Sequence, residues 1–151
     1  MAKLGLSIYP EHSELEKDLE YLSLAGKYGF QRVFTCLISM GDEKKEELIE
    51  KFRVRIDEAH KNGMEVILDV NPAVFHRLGM SSTDLSVFSQ MHADGIRLDE
   101  GFTGMGASRL TFNPWGLKVE MNASTEMGFI EDVVSHYPNR EKLMTCHNFY
   151  P

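Results

Sequence analysis

The run RLDEGF, residues 97–102, carries the sharpest chemical signal in the sequence: two adjacent acids, Asp99 and Glu100, with Arg97 two residues before Asp99. On a strand, Arg97 and Asp99 share one face while Asp99 and Glu100 point to opposite faces. A carboxylate beside a guanidinium stays ionised, whereas one turned into an apolar pocket keeps its proton towards neutral pH, and two such acids divide into base and acid. Asp99 is therefore expected to face inward, with Glu100 in a cap or salt bridge. Other polar residues stand where apolar runs end: Tyr9, Glu11 and His12; Thr35 and Cys36; Asp69; Glu120 and Asn122; His147, Asn148 and Tyr150. Each could merely cap a helix, but as a set they favour a functional rim.

The elements that would position this rim follow from periodicity. Short β-type runs at 3–9, 32–37, 65–70, 95–99, 117–122 and 143–149 alternate with segments of helical spacing, the pattern of repeated βα units around a parallel sheet. Active sites of such folds lie at the carboxyl ends of the strands, where these polar residues fall. Ser13 and Glu16 have capping-box spacing for a helix over 13–28, in which Leu15, Leu19, Leu22 and Ala25 form an apolar face that Gly29 terminates. Ile49, Phe52, Ile56 and Ala59 make a second face, closed by Gly63. Asn71 and Pro72 fit an N-cap and first helical position, Ser81 and Asp84 start a further helix, and Ser124 opens one that Pro138 stops. The stretch 101–116, with four glycines and Pro114, reads as a long loop.

Length and composition exclude several classes. At 151 residues the chain is shorter than a complete (β/α)₈ barrel of roughly 250 residues. Lys and Arg number 16 against 23 Asp and Glu, a net charge of -7, the wrong sign for a nucleic-acid partner. No long apolar run signals export or a membrane span, so a cytoplasmic protein is expected. Cys36 and Cys146 lack CxxC spacing and read as reduced thiols. Glu11, Asp69, Asp99 and His147 could surround a divalent ion, but no HExxH pair supports that, and neither metal nor cofactor is expected. Cys36 with His147 is a weaker nucleophile pair, since buried inert Cys is commoner. His147 could equally be a general base, a substrate partner or a histidine satisfied by a nearby carbonyl. Gly101, Gly104 and Gly106 do not make a dinucleotide fingerprint, because Arg109 occupies the sixth position counted from Gly104.

The segments SIYPEHS, RVFTCLIS, EVILDVNP, GIRLDEGFTG, TFNPWGLKVEMNAS and CHNFYP resemble the bacterial 6-phospho-N-acetylmuramidase family through nearly the whole chain. The resemblance implies an α/β fold of the TIM-barrel type followed by a smaller cyclophilin-like domain. It also implies a glycosidase that cleaves N-acetylmuramic acid 6-phosphate from N-acetylglucosamine in cytoplasmic cell-wall recycling. Against that pattern the chain is expected to be a partial barrel of about six parallel βα units, without strands seven and eight or the second domain, and able to self-associate through open sheet edges. Glycoside hydrolysis uses two carboxyl groups flanking the bond. Asp99 and Glu100 are the leading pair, Asp69 and Glu11 the alternates, and Tyr9, Arg97, Asn122, His147 and Asn148 the substrate-binding groups. A metal-dependent sugar isomerase or aldolase and a non-catalytic sugar-phosphate binding module are the competing readings.

Overall fold

The β-type runs build one six-stranded sheet with strands in chain order, every neighbouring pair parallel, in a computed structural model. The structure describes residues 3–37, 41–99 and 101–122 and the backbone of 143–145; at Gly104, Met105, Ser108 and Asn122 it describes the backbone alone. The strands are β1 (Gly5–Ile8), β2 (Arg32–Cys36), β3 (Glu65–Val70), β4 (Gly95–Leu98), β5 (Lys118–Asn122) and β6 (Leu143–Thr145). Between them lie α1 (Leu15–Lys27), α2 (Lys45–Lys61), α3 (Pro72–Arg77), α4 (Ser86–Gln90) and α5 (Gly104–Leu110). The expected α/β fold is present as a partial barrel of parallel βα units. The helix expected from Ser124 lies outside the described residues.

Alternation along each strand divides the sheet into two chemically different faces. One face carries Leu6, Ile8, Val33, Val66, Leu68, Val70, Ile96 and Leu98, which join Leu22, Ile49, Phe52, Ile56, Phe75 and Phe88 of the helices in one core cluster. Each such side chain contributes roughly 1.5–3 kcal/mol on burial. Phe75 meets Phe88 edge to face at 5.5 Å, so Phe88→Ala would open a cavity costing about 3–5 kcal/mol. The other face carries Ser7; Arg32, Phe34 and Cys36; Glu65, Ile67 and Asp69; Gly95 and Arg97; Lys118 and Glu120, by their register. Arg32 of β2 is ion-paired with Glu120 of β5. Three strand spacings separate these strands, roughly 14 Å if the sheet were flat. Their contact fits a sheet curled around this polar face, the curvature a barrel needs.

Local signals decide where the helices begin and end. Gly29 and Gly63 take φ of +83° and +78° just past α1 and α2, as a helix stop requires. Asn71 Oδ1 accepts the Val74 N–H at 3.1 Å, with Pro72 in the first turn of α3. Ser13 does not cap α1: Glu14 is the N-cap, and Ser13 Oγ instead lies 2.7 Å from Asp18 Oδ2 and 3.0 Å from the Tyr9 carbonyl. Asp18 is buried and takes a 2.6 Å bond from Arg55 Nε, fastening α1 to α2. A buried carboxylate needs such donors, and this need outweighs the local capping preference. The expected loop over 101–116 contains α5, which follows Thr103, whose Oγ1 accepts the Gly106 N–H at 3.0 Å, and which buries Ala107 and Leu110. Two glycines concealed that one-turn apolar spacing.

Candidate active site

The carboxyl ends of β3 and β4 meet through backbone and glycine geometry. Asp69 is in register with Arg97, and the Asp99 N–H donates to the Val70 carbonyl at 2.9 Å. Gly101 has φ +95°, and a side chain there would sit 3.1 Å from Pro72 Cδ, so the turn after Asp99 lies against the first turn of α3. Phe102 packs edge to face on Phe75 at 5.9 Å and ties the RLDEGF segment to the core.

Arg97 donates from Nη2 to Asp69 Oδ2, and both side chains are largely enclosed. Asp69 Oδ1 is buried without a hydrogen-bond partner among the described residues. Burial pushes the Asp69 carboxyl up to about 6, against the charge and hydrogen bond of Arg97 and with the repulsion of Asp99. Asp99 follows β4 two residues beyond Arg97, its N–H continuing the ladder to the Val70 carbonyl and its charge acting on Asp69. The arrangement is a protonatable carboxyl held by one cation, with a second carboxyl nearby that favours its protonated form. These are the parts from which acid and base roles are separated.

The remaining expected residues distribute unevenly. Tyr9 stands half exposed past the end of β1, its carbonyl accepting the His12 N–H at 2.9 Å. Glu11 lies in the turn between them, and no described contact joins it to Asp69 or Arg97. Asn122 ends β5 and is placed by its backbone only. Glu100, His147 and Asn148 lie outside the described residues. The structure therefore brings together Asp69, Arg97 and Asp99 from the expected set.

Beside and below this trio the polar face holds a second group, which joins Glu120 of the expected rim, level with Arg97, to Arg32 and Glu65 near the amino ends of their strands. Arg32 Nε lies 3.1 Å from Glu65 Oε1 and the same guanidinium pairs with Glu120, which is wholly buried. Glu65 also receives Lys3 at 3.1 Å and Lys118 at 2.6 Å. Phe34 lies between the two levels, with the guanidinium carbons of Arg32 and Arg97 5.0 and 5.1 Å from its ring centroid. The signal was in the sequence: alternate residues of β2, β3 and β4 read Arg-Phe-Cys, Glu-Ile-Asp and Gly-Arg. The TFNPWG motif is instead a brace, since Asn113 bonds the Leu110 and Leu117 carbonyls at 2.8 and 2.9 Å and accepts the Leu117 N–H at 3.0 Å, ahead of β5.

Among the described residues no helix is long and apolar enough to cross a membrane. No curated protein matches the sequence. A solved structure of an uncharacterized B. cereus protein is 49% identical, with a TM-score of 0.76 over 99% of this chain and 39% of that one. A conserved Enterococcus faecalis protein of unknown function is 18% identical, with a TM-score of 0.72 over 99% of this chain and 40% of that one. An O-GlcNAc hydrolase variant from Thermobaculum terrenum is 12% identical, with a TM-score of 0.61 over 97% of this chain and 41% of its own, a likeness of fold alone. This chain thus spans about two fifths of the length of these structures. Residues 4–151 match the family described as 6-phospho-N-acetylmuramidase, N-terminal, and the chain belongs to that family.

Proposed function

We propose that this chain supplies the acid-bearing part of a glycoside hydrolase that cleaves 6-phospho-N-acetylmuramyl-N-acetylglucosamine in the bacterial cytoplasm, as a step of cell-wall recycling. The observation that carries the reading is Asp69: a carboxyl at a strand's carboxyl end that burial pushes up to about 6, with one oxygen held by Arg97 and the other buried without a partner among the described residues. Protonated Asp69 gives its proton to the leaving glycosidic oxygen, and Asp99 acts as the second carboxylate, as base or nucleophile. Glu100, first in the sequence reading, and Glu11 stay as alternates. Tyr9, Asn122, His147 and Asn148 are proposed to bind the sugar, while Arg97 is committed to Asp69. At pH 7 a carboxyl of pKa about 6 is protonated in about one molecule in ten, and exclusion of water by bound sugar raises that share.

In this reading the chain is the first part of a barrel domain, and the sugar phosphate is held by loops that further strands would bring. The outer edge of β1, which pairs only with β2 among the described strands, and the exposed Tyr21 and Leu24 of α1 with Tyr28 at its C-cap form the seam for a further βα unit or a second copy. The test is hydrolysis of the phosphorylated muramyl disaccharide by the 151-residue chain and by the chain extended to the length of its 49%-identical relative. Turnover by the extended protein that Asp69→Asn abolishes supports the reading. Undiminished turnover by that variant removes Asp69 from the chemistry.

A further inference from the structure

Arg97 has a choice of two acids. In register it stands between Asp69 on β3 and Glu120 on β5, and it bonds Asp69. Glu120 is taken by Arg32, which also reaches Glu65. Two guanidiniums thus serve three acids in a confined space, and they are close enough to repel: Arg32 is held below the ordinary guanidinium value, first by burial and then by the charge of Arg97, with Glu65 opposing.

What lies between them is an aromatic ring. Phe34 presents its π-face to both cations at 5.0 and 5.1 Å, where the ring quadrupole attracts each and offsets their mutual repulsion. The neighbouring strands leave room for it, since a side chain at Gly5 would stand 3.4 Å from Phe34 Cε2, and Gly95 brings no side chain to this level of β4. A guanidinium held over a ring by this attraction loses freedom of position. We propose that Phe34 is a positioning residue whose ring holds Arg97 on Asp69 and away from Glu120.

The consequence is a set protonation state for Asp69. The groups around it are Cys36 of β2, Arg97 and Asp99 at the end of β4, and, one step further, Glu120 of β5 with its partner Arg32. Arg97 is the charge that favours the ionised form of Asp69, so loosening Arg97 raises the midpoint of Asp69 further.

The experiment is a ¹³C NMR titration of the Asp69 carboxyl in the 151-residue chain carrying Phe34→Leu or Phe34→Tyr. Phe34→Leu is expected to move the midpoint up by about half a pH unit, and Phe34→Tyr, which keeps the ring face, to restore it. If Phe34→Leu does not fold, pentafluorophenylalanine at position 34 keeps the ring while reversing the charge of its face, with the same upward shift expected. An unmoved midpoint in a folded Phe34→Leu or fluorinated chain overturns the proposal. The inference rests on the proposed glycosidase only for its catalytic meaning. A shifted midpoint with an unmoved pH-rate profile in the extended enzyme would uphold the positioning role and remove Asp69 from catalysis, separating the two failures.

Discussion

Glu65 and Asp69 stand four residues apart on one strand and one face, yet the fold treats them oppositely. Glu65 meets Lys3, Arg32 and Lys118; burial pushes its carboxyl up, but the bonds from Lys118 and Lys3 and the charge of Arg32 outweigh it and leave the group below its ordinary range. Asp69 meets one cation and has an acid nearby, and burial pushes it up to about 6. Acidity on this face is thus decided by how many cations reach each carboxyl rather than by burial alone. The end of the sheet that bears the strands' amino termini holds a neutralised ionic knot; the end that bears the carboxyl termini holds the carboxyl that burial pushes up.

The largest effect expected from breaking this asymmetry is on turnover. Asp69→Asn in the extended enzyme should lower kcat by about a hundredfold or more, while its folding is preserved, measured with the phosphorylated disaccharide. Since the acid must be protonated, kcat/KM should fall by about tenfold per pH unit above a midpoint near 6, and a kcat/KM profile flat to pH 8 would contradict that assignment. Glu65→Gln should do the reverse, costing about 2 kcal/mol in urea unfolding and leaving kcat within about threefold. The smallest effect belongs to Lys3→Ala, whose side chain is 52% exposed and whose loss should cost under about 0.5 kcal/mol.

The two acids also leave opposite marks on stability against pH. Asp69 binds its proton more tightly folded than unfolded, so its contribution is complete below 3.8 and is lost as pH rises to about 6. Glu65, depressed below 4.5, contributes stability present above that pH and lost as pH falls below it. Denaturation series should show Asp69→Asn flattening the first region and Glu65→Gln the second.

Much of the fold was legible because strand and helix periods are written in residue order. Gly29, Gly63, Asn71 and Pro72 announced their turns and caps through local backbone preferences. What was not legible depended on partners distant in sequence. Ser13 reads as a cap until Arg55 brings a buried Asp18 beside it. Asp99 and Glu100 stood first because they are adjacent to one another, whereas the enclosure of Asp69 arises from β4 crossing beside β3. No sequence signal marks Phe34, because the two arginines that converge on it come from different strands.

The account is tested most directly by titrating both carboxyls of β3 in the same ¹³C-labelled chain. The asymmetry predicts a midpoint near 6 for Asp69 and one below 4.5 for Glu65. Coincident midpoints near 4 would contradict it, and with it the reading of Asp69 as the proton donor.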